Sequence, residues 1–291
     1  MTNLPIGLST GCFYQRNILD CLEGIRASGF SQIEVCSSPL HLDFHDLPRV
    51  KALAARLEDL GMEAYSFHAP FADRIDLSSL SAAQRDASVE EILRAVEAAA
   101  ALQVHYFVIH PGPEHAHIPP DTERLQRIEN LVESLNRVVR RCAEVGICCL
   151  LENKLPHLLF GNLNDILWIL AAIEGAEVGA CLDTGHAFLS GDLPNLLRKL
   201  AGPLRMIHAH DNRRQFDDHL PPGDGQIDWT WFLGELVQSS FHGALILELA
   251  GQTDMETVLR NARRGRSYLR KIARTLAARR WRASVEVGPA A

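Results

Sequence analysis

Apolar runs of four to six residues recur along the chain, separated by longer segments whose apolar positions follow helical spacing. The short runs predict strands at 6–9, 32–35, 63–68, 106–110, 147–152, 178–182, 206–210 and 244–248. The intervening segments predict helices near 18–28, 46–60, 82–102, 121–144, 164–173, 194–200, 229–239 and 254–280. Gly29, Gly61 and Gly146 stand where three of these helices should end, as residues able to take a left-handed backbone. Strand and helix alternate without interruption, the pattern of βαβ units on a parallel sheet. Eight such units predict an α/β fold of one closed (β/α)8 barrel spanning 1–291, with no linker dividing it. An open doubly wound sheet would have similar strands, but it should carry a glycine-rich phosphate turn after the first, and STGCFYQRN has no GxGxxG.

In a barrel of this kind chemistry sits at the C-terminal ends of the strands. There the predicted strands deliver His68 (SFHAP), His110 (VIHPGP), Glu152 (LLEN), Asp183 with His186 (CLDTGH), His208 (MIHAHD) and Glu248 (LILELA) to one rim. A lone histidine closing a strand is usually a hydrogen-bonded structural residue. Imidazoles and carboxylates brought together from six consecutive strands need compensating positive charge, and a divalent cation is the usual source. The mixed nitrogen and oxygen set suits zinc or manganese better than magnesium. The irregular stretch 211–228 adds Asp217 and His219, and nine candidate ligands exceed what one ion needs.

Composition narrows the setting. The formal net charge of −7 over 291 residues gives no general nucleic-acid or acidic-membrane surface. Seven cysteines at irregular spacing with no CxxC point to a reducing compartment, and the N-terminus MTNLPIGLSTGCF lacks the features of a signal peptide, so a cytoplasmic location without membrane association is expected.

In these ordered motifs, over roughly residues 5–250, the chain resembles the xylose isomerase-like barrels, a superfamily that includes the endonuclease IV family and many sugar isomerases and epimerases. The endonuclease IV pattern implies three zinc ions. By that resemblance His68, His110 and Glu152 hold one, Glu152, Asp183, His208 and Glu248 a second, and His186, Asp217 and His219 a third. The superfamily's isomerases typically keep the Glu152, Asp183, His208 and Glu248 set and one ion, often manganese, with the two glutamates as the catalytic acid and base.

Departures from the endonuclease pattern shape the expected substrate. Phe71 stands where that family usually has Tyr, Gly185 stands where it usually has Cys, and the loop after the second strand, SSPLHLDFHD, has no arginine and two aspartates. The expected partner is a small-molecule substrate rather than DNA. Three readings follow: a multinuclear phosphodiester hydrolase acting on a small or nucleotide-like diester, a sugar or sugar-phosphate isomerase or epimerase using Glu152 and Glu248, and a metal-binding barrel without catalysis. His210, Lys154 and Arg213 are candidate substrate contacts, and His115 and His117 read as surface histidines near the mouth. Residues 260–283 hold ten Lys or Arg and no acid, with Leu269, Ile272, Ala273 and Leu276 at helical spacing. This is a basic helix, about 254–283, docked on the outside of the barrel.

Overall fold

A computed structural model of the chain describes residues 4–114, 116, 119–239, 241–251 and 254–286. Strands β1 (Ile6–Ser9), β2 (Gln32–Cys36), β3 (Glu63–His68), β4 (Tyr106–Ile109), β5 (Cys148–Glu152), β6 (Val178–Asp183), β7 (Leu204–Ala209) and β8 (Leu245–Leu247) run parallel in sequence order. The sheet closes where Ile6 pairs with Leu245 and Leu8 with Leu247, giving a (β/α)8 barrel. Strands β4, β7 and β8 stop one residue short of the expected ends. His110, His210 and Glu248 lie just past the last ladder positions, where the chain turns out over the mouth.

Around the barrel lie α1 (Ile18–Ala27), α2 (Leu47–Asp59), α3 (Ala82–Ala101), α4 (Asp121–Glu144), α5 (Leu163–Ala172), α6 (Thr184–Leu189), α7 (Leu193–Leu200), α8 (Trp229–Gln238) and α9 (Met255–Glu286). The one-and-a-half turns of α6 were not legible as an apolar stripe. They form because Asp183 caps them, its Oδ1 accepting the His186 N–H at 2.7 Å. A short 3-10 turn, Thr10–Phe13, likewise follows β1 directly.

Alternation along the strands sorts the side chains into two cores. Residues such as Ile33, Phe67, Phe107, Leu151, Leu182, Ile207 and Leu245 face outward and pack under the helices. A separate cluster of Tyr65, Val108, Leu150, Cys181, Met206, Ala244 and Ile246 fills the barrel interior. Two residues on from five of these come His110, Glu152, Asp183, His208 and Glu248, so the candidate ligands form the next inward layer and rest on an apolar plug.

The basic helix is present and extends beyond its expected end. Leu269 is fully buried, and part of its positive charge is spent on the barrel: Arg263 donates to Ser28 Oγ at 3.0 Å, Arg266 donates to the Ser28 carbonyl at 2.7 Å, and the Arg266 guanidinium lies over the Phe30 ring. All seven cysteines are free thiols. Among the described residues no helix is long and apolar enough to cross a membrane.

Candidate metal centre

The nine expected ligands meet at the mouth in three groups, two of which share Glu152. In the first, Glu152 Oε2 stands 3.2 Å from both His68 Nε2 and His110 Nε2. In the second, Glu152 Oε1 lies 2.8 Å from His208 Nδ1, which is 3.5 Å from Glu248 Oε2, with Asp183 beside them. In the third, Asp217 Oδ2 lies 3.3 Å from His186 Nε2 and 3.0 Å from His219 Nε2. His210, expected as a substrate contact, lies beside this third group.

The opposite nitrogen of every one of these rings but His210 is held by an acceptor, while His210 Nδ1 is buried without a hydrogen-bond partner. His68 Nδ1 donates to the Ala69 carbonyl at 2.8 Å, His186 Nδ1 to the Asn153 carbonyl at 3.0 Å and His219 Nδ1 to the Glu248 carbonyl at 3.0 Å. A carbonyl can only accept, so in a neutral ring the Nε2 lone pair must face the cluster. There it meets a carboxylate oxygen, another acceptor. Such a contact is stable only with a cation, proton or metal, between the two. The side chains of this chain therefore fit divalent metal, and an imidazole–carboxylate set suits zinc or manganese.

Protonation in the absence of metal expresses the same demand. Burial opposes charge on His186, yet Asp183 and Asp217 lift it to about 10. Against the same opposing burial, Asp217 and Glu248 lift His219 to about 10, and Glu152 and Glu114 lift His110 to about 9.

Three supporting residues escaped the sequence reading. Glu34, fully buried on β2, accepts from Ser9 and Ser66 and lies 3.0 Å from His208 Nε2, leaving Nδ1 for the cluster. Its signal was available, because outward Ile33 and Val35 require Glu34 to point inward. Glu114 Oε1 holds His110 Nδ1 at 2.8 Å and stands 3.3 Å from Lys154 Nζ, while burial, which raises a carboxyl, is overcome by His110 and Lys154, bringing Glu114 to about 2. No periodicity in PGPE could have placed it.

Asp211 organises the long loop. Its carboxylate accepts from the Asn212, Gly223 and Ile227 amides at 3.0 Å and from Trp229 Nε1 at 2.9 Å. Asp211→Ala strands these buried donors and should destabilise the fold by roughly 3 kcal/mol or more. Urea unfolding should show this as a lower midpoint, with metal content falling first at the third group, which this loop carries. An unchanged midpoint would contradict the assigned role.

The other expected substrate contacts sit differently. Lys154 is buried, its ammonium donating to the carbonyls of Pro113, Gly112 and Leu159 beside Glu114, so its charge is used within the protein. Arg213 is exposed on the loop and belongs to none of the three groups. His115 and His117 lie outside the described residues. His219 adopts φ 45°, a left-handed backbone unusual for a side-chain-bearing residue, and is held there by its bonds to Asp217 and Glu248. A cavity of about 700 Å³ lined by Tyr14, Gln15, Arg16, Phe71, His219 and Glu248 opens beside the centre. A smaller one of about 220 Å³ lies over the first and third groups.

Residues 22–272 match the model of the family described as xylose isomerase-like TIM barrel. The chain belongs to this family. An uncharacterised protein of Methanocaldococcus jannaschii is 27% identical over 84% of this chain and 84% of its own length. A probable endonuclease 4 of Nitratidesulfovibrio vulgaris is 28% identical over 78% of this chain and 83% of its own. Among solved structures, a D-tagatose 3-epimerase-like protein superposes with a TM-score of 0.82 at 24% identity, covering 95% of this chain and 99% of that one. This last likeness concerns the fold.

Proposed function

We propose that the protein is a multinuclear metal-dependent phosphodiester hydrolase acting on a small or nucleotide-like diester, with zinc as the metal, two or three ions per chain, and manganese as the alternative. The observation that carries this reading is Glu152. Both of its oxygens are engaged, Oε2 by His68 and His110 and Oε1 by His208, as befits a carboxylate shared between two ions. A glutamate acting as a proton-transfer base needs an oxygen turned toward substrate instead.

Bound divalent ions would supply Lewis acidity, neutralising phosphoryl charge and lowering the pKa of a water. The chain's own residues do the rest. Glu34 and Glu114 hold His208 and His110 in the ligand-presenting orientation, and the apolar plug beneath keeps water out from below. Substrate enters the cavity beside Glu248 and His219, where Arg16 provides a positive wall for an anionic group and Phe71 an apolar one. DNA is not the proposed partner, since the loop after β2 has no arginine and the net charge is −7.

One observation favours a second reading, epimerisation or isomerisation of a sugar or sugar phosphate. Glu248 is partly exposed and lines a cavity of small-molecule size, where a carboxylate can exchange protons with substrate. The test is elemental analysis of protein purified without chelators, with two assays: hydrolysis of an activated phosphodiester, and solvent deuterium uptake into a panel of ketoses. More than one ion per chain with diester hydrolysis is expected. One ion, with deuterium uptake and no hydrolysis, would overturn the proposal in favour of the second reading.

A further inference from the structure

We infer that His210 is a fourth protein ligand of the third group, beside His186, Asp217 and His219, and that Gly185 is the residue that makes room for it. This rests on the metal reading of that group and adds a ligand to the three that the endonuclease resemblance implies.

His210 follows His208 by two residues, so it leaves β7 on the same inward side, and it is fully buried. Its ring lies against that of His219, with centroids 3.8 Å apart and planes 8° apart, so one of the two must tilt out of the stack for both to reach one ion, and it meets His186 edge-on at 5.8 Å. His210 Nε2 lies 3.0 and 2.9 Å from the two Asp183 oxygens and 4.0 Å from Asp217 Oδ1, a buried oxygen with no hydrogen-bond partner. One donor atom from each of His186, His210, Asp217 and His219 falls within 4.8 Å of the others. Three imidazoles and a carboxylate make a complete set for a tetrahedral zinc.

The ring's place is built in. A Cβ at position 185 would fall 2.0 Å from His210 Cε1, 2.5 Å from Nδ1 and 2.7 Å from Nε2. Any side chain there must evict the ring. Retreat of the backbone is blocked as well, because Thr184 Oγ1 accepts the His210 N–H at 3.1 Å and donates to the His210 carbonyl at 2.8 Å. Glycine at 185 and histidine at 210 therefore act as a pair.

The opposing outcome is a narrower role, in which His210 Nε2–H hydrogen-bonds Asp183 and serves the second group. Zinc titration of the metal-free wild type separates the two, read by long-range 15N correlation spectra of the imidazoles. As the third equivalent binds, His210 Nε2 should move to the metal-bound range; a nitrogen that stays protonated would overturn the inference. Chelator competition on His210→Ala and Gly185→Ala should show one ion of three weakened by about 100-fold, with the ions at Glu152 retained. Gly185→Ala matters because it leaves the imidazole chemically intact. Equal affinity for all three ions in both variants, or weakening only of the ion at Glu152, Asp183, His208 and Glu248, would refute the added ligand alone. A wild type that never takes a third ion would refute the metal reading of the group, and the inference with it.

Discussion

Glu152→Gln should lower diester hydrolysis by roughly three orders of magnitude while leaving the protein folded. The amide has nearly the shape of the carboxylate, and its NH2 can donate to the Nε2 lone pairs of His68 and His110 that Oε2 now faces at 3.2 Å. Metal-free packing is thereby preserved. Metal binding is not, because one uncharged oxygen replaces a charged pair that serves two groups at once. Elemental analysis should find the first and second groups depleted and the third filled, with thermal unfolding of the metal-free variant close to wild type. A variant that keeps all its metal and its hydrolytic rate would remove Glu152 from its bridging position. One that loses only ketose deuterium exchange would mark it as a proton-transfer residue.

His219→Ala should act at the other end of the centre. The side chain reaches Asp217 with Nε2 and the Glu248 carbonyl with Nδ1, and it lines the substrate cavity. Its loss should release about one ion and reduce hydrolytic kcat by about 100-fold or more, with the ions at Glu152 still bound. In an epimerase the same change removes a substrate contact, raising KM while solvent deuterium exchange at Glu152 and Glu248 continues. Alanine keeps a Cβ and so relieves none of the cost of φ 45° at this position, and stability should fall by at least what the lost hydrogen bonds contribute. Measuring metal content, kcat and KM together on the one variant separates the two chemistries.

What could be read from the chain alone was whatever a fixed period carries. Apolar runs placed the strands, and the residues closing them, His110, Glu152, Asp183, His208 and Glu248, at one rim; that Val108, Leu150, Cys181, Met206 and Ile246 face inward one layer below them is shown by the closed barrel. Order along the chain, eight units without a break, decided closure of the sheet. Only the tertiary structure decided the rest, because it depends on irregular backbone and on what lies across space. Lys154 reads as a charge for substrate but is drawn into three carbonyls of two loops. Glu114 finds His110 around a turn with no period, and Asp211 has both oxygens taken by amides and an indole from residues far along its loop. Gly185 and His210 look unrelated at 25 residues' separation. They become one feature only when the ends of β6 and β7 lie side by side, where the absence of a Cβ just past one strand leaves the space that the imidazole just past the other fills.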